Sequence, residues 1–114
     1  MKTILIIEDS LERNKQFFQN FENVEIHTAL SVEFAIGMIK NNDKYDMIFF
    51  DHDLRKGGDA IDVAKWLSNH KNKIPNNIYI HSSNPVGAQN IKGYLKYARI
   101  APMIWKQKID FSKL

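Results

Sequence analysis

The 114 residues predict an α/β protein with a doubly wound parallel sheet, on three observations. Short apolar runs suited to strands alternate with helical stripes along the whole chain, which implies parallel strands joined by right-handed helical crossovers. Two runs, residues 4–7 (Ile-Leu-Ile-Ile) and 47–50 (Met-Ile-Phe-Phe), are apolar at every position, as in strands covered on both faces. The reactive polar residues come directly after strands, where an open parallel sheet binds its ligands.

Residues 4–7 form the first strand. Ser10 caps a helix to about residue 20, with Leu11, Phe18 and Phe21 facing inward. Residues 24–28 (Val-Glu-Ile-His-Thr) alternate apolar and polar and read as an edge strand. Ser31 caps a second helix, in which Val32, Ala35, Ile36 and Ile39 give the i, i+3, i+4, i+7 stripe. Residues 47–50 are the third strand, and residues 51–58 a polar loop containing glycine. Asp59 caps a helix to about residue 69, with Ala60, Val63, Ala64 and Leu67 on one face. Residues 78–80 are the fourth strand. Asn84 and Pro85 stand in N-cap and N1 order before a helix to about residue 99. Residues 103–105 (Met-Ile-Trp) are the fifth strand, and residues 109–114 leave room for about two helical turns.

The length fits one domain, residues 1–114, and the composition, 44% hydrophobic and 25% charged, excludes a disordered chain. Without cysteine, disulfides and thiolate metal sites are excluded. The apolar start of the chain stops at Glu8-Asp9, too short for a secretory segment, and no stretch can span a membrane. A cytoplasmic location is expected. Charge is uneven. Residues 1–57 hold 7 Lys+Arg and 10 Asp+Glu, a balance of −3, whereas residues 58–114 hold 9 and 3, a balance of +6. This is either chance on a small surface or an acidic metal corner facing a basic, anion-attracting wall.

The strand ends gather Glu8-Asp9, Asp51-His52-Asp53, His81-Ser82-Ser83-Asn84 and Lys106 at one rim, and a core needs none of these groups there. Clustered Glu8, Asp9 and Asp51 repel one another unless a cation sits between them, and hard oxygen ligands suit Mg²⁺ or Mn²⁺; the alternative is relief by Lys106 and water. The Asn84-Pro85 helix start offers free N–H groups to an anion besides its capping role. Elsewhere, His27 lies on the polar side of the edge strand, His70 at a helix C-terminus, Trp66 on half-buried surface and Trp105 in the sheet. Gly57 and Gly58 lie outside any phosphate-binding glycine motif and read as loop flexibility. Lys92, Tyr94, Lys96, Tyr97 and Arg99 form a basic, aromatic stretch, read as a solvated face or as a surface that stacks on and attracts a nucleotide or an RNA end.

Glu8, Asp9, Asp51, Ser82 and Lys106, each after its strand, resemble the conserved set of response-regulator receiver domains over nearly the whole chain. The resemblance implies a flavodoxin-like strand order, 2-1-3-4-5. It implies Mg²⁺ bound by Asp9, Asp51 and the Asp53 carbonyl, Asp51 as phosphate acceptor, and Ser82 and Lys106 on the phosphoryl oxygens. Gln107 stands where receivers carry proline, the last helix is truncated, and no output domain is expected to follow. Asp51-His52-Asp53-Leu54 and His81-Ser82-Ser83-Asn84-Pro85-Val86-Gly87-Ala88 resemble the DHDL and HSxNPxGA motifs of a branch described as cyclic-phosphate processing receiver domains. That branch implies metal-assisted hydrolysis of a cyclic phosphate on a nucleotide or an RNA 2′,3′-cyclic end. His52 and His81 would be the acid/base pair or metal ligands, with Asp51 and Lys106 beside them and Ser82, Ser83 and Asn84 on the phosphate. No sequence-specific DNA contact is expected. The competing readings are a stand-alone phospho-acceptor receiver using Asp51 and a non-catalytic nucleotide sensor.

Overall fold

The ladder pattern decides which residues meet, so the strands come first. In the computed structural model, which describes residues 1–114 apart from the side chain of Lys56, the main sheet holds β1 (Lys2–Ile7), β3 (Val24–Ala29), β4 (Met47–Phe50), β5 (Asn77–Ile80) and β6 (Arg99–Ile100). All pairings are parallel, in the order β3-β1-β4-β5-β6. Numbered along the sheet's own five strands, this is the expected 2-1-3-4-5. Helix α1 (Leu11–Asn20) covers one face, and α2 (Val32–Asn41), α3 (Ile61–Ser68) and α4 (Pro85–Tyr94) the other. No helix is long and apolar enough to cross a membrane.

Period-two alternation along the strands divides the interior. Leu5, Ile7, Ile48, Phe50, Ile78 and Ile80 pack towards α2–α4, with Ala60, Val63, Ala64 and Leu67 inward as expected. Ile4, Ile6 and Phe49 pack with Phe17, Phe21, Ile104 and Phe111 on the other side. Three helices start on the predicted caps: Ser10 Oγ accepts Arg13 N–H at 3.2 Å, Ser31 Oγ accepts Phe34 N–H at 3.1 Å, and Asn84 Oδ1 accepts Gly87 N–H at 3.0 Å.

Several expectations are corrected. In α1 the inward residues are Asn14 and Phe17, while Leu11 and Phe18 are exposed. The helix is rotated because Asn14 donates to the Glu8 carbonyl at 2.9 Å and Phe17 joins the rings of Phe21 and Phe49. Asp59 stands one residue before the cap position, Ala60, yet its carboxylate still accepts Ile61 N–H at 2.9 Å. Helix α4 stops at Tyr94 because buried Leu95 leaves helical geometry and turns the chain towards β6. The fifth strand is therefore Arg99–Ile100, and Ala101 N–H still reaches the Ile80 carbonyl. Residues 103–105 do not form a strand. Ile104–Lys106 is a 3₁₀ turn that buries Ile104 alone, leaving Trp105 half-buried beside it rather than in the sheet.

The C-terminal residues are not two helical turns. Residues Ile109–Asp110 form β7, paired in parallel with β2 (Phe21–Glu22), and Phe111–Lys113 is another 3₁₀ turn. Phe111 is buried, with its ring 5.0 Å from that of Phe21. Phe111→Ala should cost about 3–5 kcal/mol in urea unfolding, the usual range for a buried phenylalanine. A loss below ~1 kcal/mol would mean that the tail is not part of the core.

Candidate functional site

Parallel register places the catalytic candidates in rows. Ile7, Phe50 and Ile80 are neighbours, and each ladder runs one residue further: Asp51 N–H donates to Ile7 O at 2.9 Å and His81 N–H to Phe50 O at 2.8 Å. Glu8, Asp51 and His81 are thus side by side. Because side chains alternate, this row points to the α1 face, opposite to Ile7, Phe50 and Ile80. There it meets Arg13 and Phe17.

Glu8 is fully buried and fully engaged. Its Oε1 accepts from Arg13 Nε at 2.6 Å and from His81 Nε2 at 3.0 Å; its Oε2 accepts from Arg13 Nη2 at 3.2 Å and from Ser10 N–H at 3.0 Å. Burial alone would raise its pKa, but the bonds from His81, Arg13 and Ser10 outweigh this and hold it at about 2. Burial lowers the pKa of His81, against the opposing pull of Glu8. Its Nε2 must carry the proton shared with Glu8, which leaves Nδ1 bare and buried without a partner. The imidazole ring also stands edge-on to Phe17 at 5.1 Å. A second proton would have no acceptor, so His81 is held as a neutral donor that fixes Glu8.

Asp51 shares the same corner. Its Oδ1 accepts His52 N–H at 2.9 Å, and its Oδ2 lies 3.6 Å from Arg13 Nη2. Burial, and next the charge of Glu8, raise its pKa to about 7, so it can exchange a proton near neutrality. Arg13 was not among the sequence candidates. Its signal was a cation in the first turn of a helix, where the dipole disfavours positive charge; the buried carboxylate overrides that penalty.

His52 belongs to the opposite phase. Its Nδ1 lies 2.9 Å from Asp53 Oδ1 and its Nε2 3.2 Å from Asp59 Oδ1. The ring rests on the first turn of α4 at Gly87, where a Cβ would overlap the imidazole. The DHDL histidine therefore requires the glycine of the second motif. Asn84 Nδ2 also reaches Asp53 Oδ2, at 3.5 Å. The loop between Asp51 and α3 is pinned rather than flexible. Leu54 is buried, Asp53 bridges to Asp59, Gly57 sits against the Leu30 carbonyl, and Gly58 has φ of 94°.

The structure brings together Glu8, Asp51 and His81 on one side and His52, Asp53 and Asn84 on the other. Ser82 is buried and its Oγ accepts Asn84 N–H at 3.0 Å, whereas Ser83 is exposed. Asp9 Oδ2 faces Arg55 Nε at 3.9 Å. Lys106 ends the 3₁₀ turn instead of following a strand; it is exposed, with Nζ 5.0 Å from the Trp105 ring centre. The remaining histidines are accounted for locally, His27 by Tyr45 and Glu25 and His70 by the Trp66 carbonyl at its helix end.

Glu8, Asp51 and His81 could hold a metal, their ligand atoms all lying within 4.8 Å of one another. Glu8 and His81 already satisfy each other, so the carboxylates of Asp51 and Asp9 are the oxygens with capacity left. Hard oxygen donors beside a carboxylate burdened by its neighbour's charge fit Mg²⁺ or Mn²⁺.

A parallel 2-1-3-4-5 sheet with a carboxylate cluster at its carboxyl rim defines a receiver-type domain, and solved receivers share the fold. A CheY-like receiver from Methanospirillum hungatei superposes with a TM-score of 0.70 at 14% identity, over 90% of this chain and 82% of that one. TrrA from Thermotoga maritima, solved in complex with Mg²⁺ and BeF, gives 0.67 at 23% identity over 89% and 87%. The chemotaxis protein CheY4 of Vibrio cholerae gives 0.68 at 18% over 88% and 83%. No curated protein matches the sequence significantly. The family model for the cyclic-phosphate processing receiver domain matches residues 3–97. The chain belongs to that family.

Two predictions follow from this geometry. Gly87→Ala should displace the His52 ring, seen as a large shift of its ring proton resonances with the rest of the spectrum retained. The second concerns pH. The folded pKa of Asp51, about 7, exceeds the ordinary aspartate value of 3.8, so its contribution to stability is complete below the lower value and lost as pH rises through the higher. Glu8 acts oppositely, with its contribution present above 4.5 and lost as pH falls towards 2. Melting temperature of metal-free protein should therefore fall between about pH 4.5 and pH 7, and Asp51→Asn should flatten that fall.

Proposed function

We propose that the rim hydrolyses a cyclic phosphodiester to a phosphomonoester. The observation that carries this reading is a guanidinium locked in place by a buried carboxylate, facing Asp51 at the carboxyl rim. Arginine has five N–H donors. Glu8 takes two, so the others remain to grip phosphoryl oxygens in a fixed fork. We assign to Arg13 the phosphoryl contact expected of Lys106. Ser82, Ser83 and the start of α4 at Asn84 complete the anion side.

Water attacks phosphorus, one ring P–O bond breaks, and the released oxygen takes a proton. His52, partly exposed between Asp53 and Asp59, carries the two proton transfers, while Asp51 stays a carboxylate that orients the attacking water. His81 has no path to the substrate, and its part is to position Glu8 and thereby Arg13. When bound, Mg²⁺ or Mn²⁺ would be held by Asp9 and Asp51 and would supply Lewis acidity to the phosphate.

Phosphorus NMR with 2′,3′-cyclic and 3′,5′-cyclic nucleotides tests the reading. The wild type should give new monoester resonances. His52→Ala should slow the reaction by about 10²–10⁴-fold, and Arg13→Met by about 10²–10³-fold. His81→Gln, which can still donate to Glu8, should keep more activity than His81→Ala. No monoester after long incubation would contradict hydrolysis of these substrates. Labelling of Asp51 by an acyl phosphate would then favour a phospho-acceptor receiver, for which the strand-end position of Asp51 speaks.

A further inference from the structure

His52 has a carboxylate oxygen at each ring nitrogen: Asp53 Oδ1 lies 2.9 Å from Nδ1 and Asp59 Oδ1 3.2 Å from Nε2. A neutral imidazole has one N–H and can donate to only one of them. Distance does not choose between them, because the shorter contact is made by the adjoining residue, whose side chain adjusts freely. Anchoring does choose.

Asp59 is the fixed carboxylate. Its Oδ1 also accepts Ile61 N–H at 2.9 Å, which ties it to the first turn of α3. The backbone around it is laced to the His52 segment. Ala60 N–H donates to His52 O at 3.0 Å, Leu54 N–H donates to Gly58 O at 3.2 Å, and Asp53 and Asp59 form an antiparallel bridge. Among the described residues, the Asp53 carboxylate has besides the imidazole only the Asn84 amide, at 3.5 Å. It is also the more exposed of the two, at 67% against 50%.

The ring is turned one way. The His52 atoms nearest to a Cβ at Gly87 would be Cγ, Cδ2 and Nδ1. Nδ1 therefore lies against the first turn of α4, whose free N–H groups belong to the anion side of the rim. Nε2 is directed to Asp59, before α3.

We infer that Asp59 is the positioning residue of His52. It holds Nε2–H, so Nδ1 is the nitrogen that exchanges protons with the substrate once the Asp53 carboxylate has swung aside. This rests on the hydrolytic reading and deepens it. Nδ1 takes a proton from the attacking water and returns one to the oxygen released when the ring P–O bond breaks. Nε2–H stays on Asp59 throughout, and the carboxylate steadies the positive ring formed midway, as an orienting aspartate does for a catalytic histidine.

The test is a nitrogen–proton spectrum of the protein with isotope-labelled histidine, the His52 signals being assigned by their absence from His52→Ala. The wild type should show a His52 Nε2 proton protected from exchange with water. Asp59→Ser keeps an oxygen to cap Ile61 N–H, on an arm one bond shorter than the one that meets the imidazole. It should lose that ring proton while the amide signals of α3 stay in place. Asp53→Ser should retain it. With cyclic nucleotides, Asp59→Ser should lower kcat by about 10- to 100-fold with KM unchanged, the usual cost of removing a partner that orients a histidine. A merely structural role for Asp59 would leave the ring proton protected. A protected proton on Nδ1, or one on Nε2 that survives Asp59→Ser but not Asp53→Ser, would overturn the inference. The expected ring pattern without turnover of any cyclic phosphate would keep the Asp59–His52 pair and refute hydrolysis. Turnover with the opposite pattern would refute the pairing alone.

Discussion

The site depends on one buried charge. A carboxylate removed from water is costly unless every lone pair is filled, and Glu8 is filled by Arg13, His81 and Ser10. Each partner is thereby constrained in turn. Arg13 cannot leave without stranding the charge, His81 is fixed as a neutral donor, and Asp51 is left next to a negative neighbour that delays its own ionisation. Removing either partner of such a pair is expected to be far more damaging than exchanging both for apolar groups.

The two motifs of the family are parts of one object. Asp51 and His52 lie on successive residues and so face opposite sides of the sheet: Asp51 joins Glu8, His81 and Arg13, and His52 joins α4. Gly87 and Asn84 close the second half, the glycine by making room for the imidazole and the asparagine by capping α4 while touching Asp53. The aspartate and the histidine thus reach the same rim from two faces, each held by its own set of partners.

Strong periodicity made the architecture legible in the sequence. The apolar runs at residues 4–7 of β1 and 47–50 of β4, the stripes of α2 and α3 and the Asn84-Pro85 start all fold as read. The rim was legible because strand ends in a parallel sheet must converge. Its pairing was less so, since the residue after a strand can continue the ladder or leave it, and only the observed bonds of Asp51 and His81 fix the phase. Arg13 escaped notice because its partner is tertiary and its position runs against the helix dipole. Met103–Trp105 looked more strand-like than Arg99–Ile100, yet burying Ile104 requires only one turn, whereas β6 is set by ladder bonds that composition does not reveal.

The most direct measurement is the nitrogen–proton spectrum of the arginine side chains. The chain has three arginines, Arg13, Arg55 and Arg99. If Glu8 locks Arg13, one Nε–H alone should exchange slowly with water at neutral pH, and it should lose that protection in Glu8→Gln while the fold persists. Three equally fast Nε–H signals, or a protected one untouched by Glu8→Gln, would contradict the account.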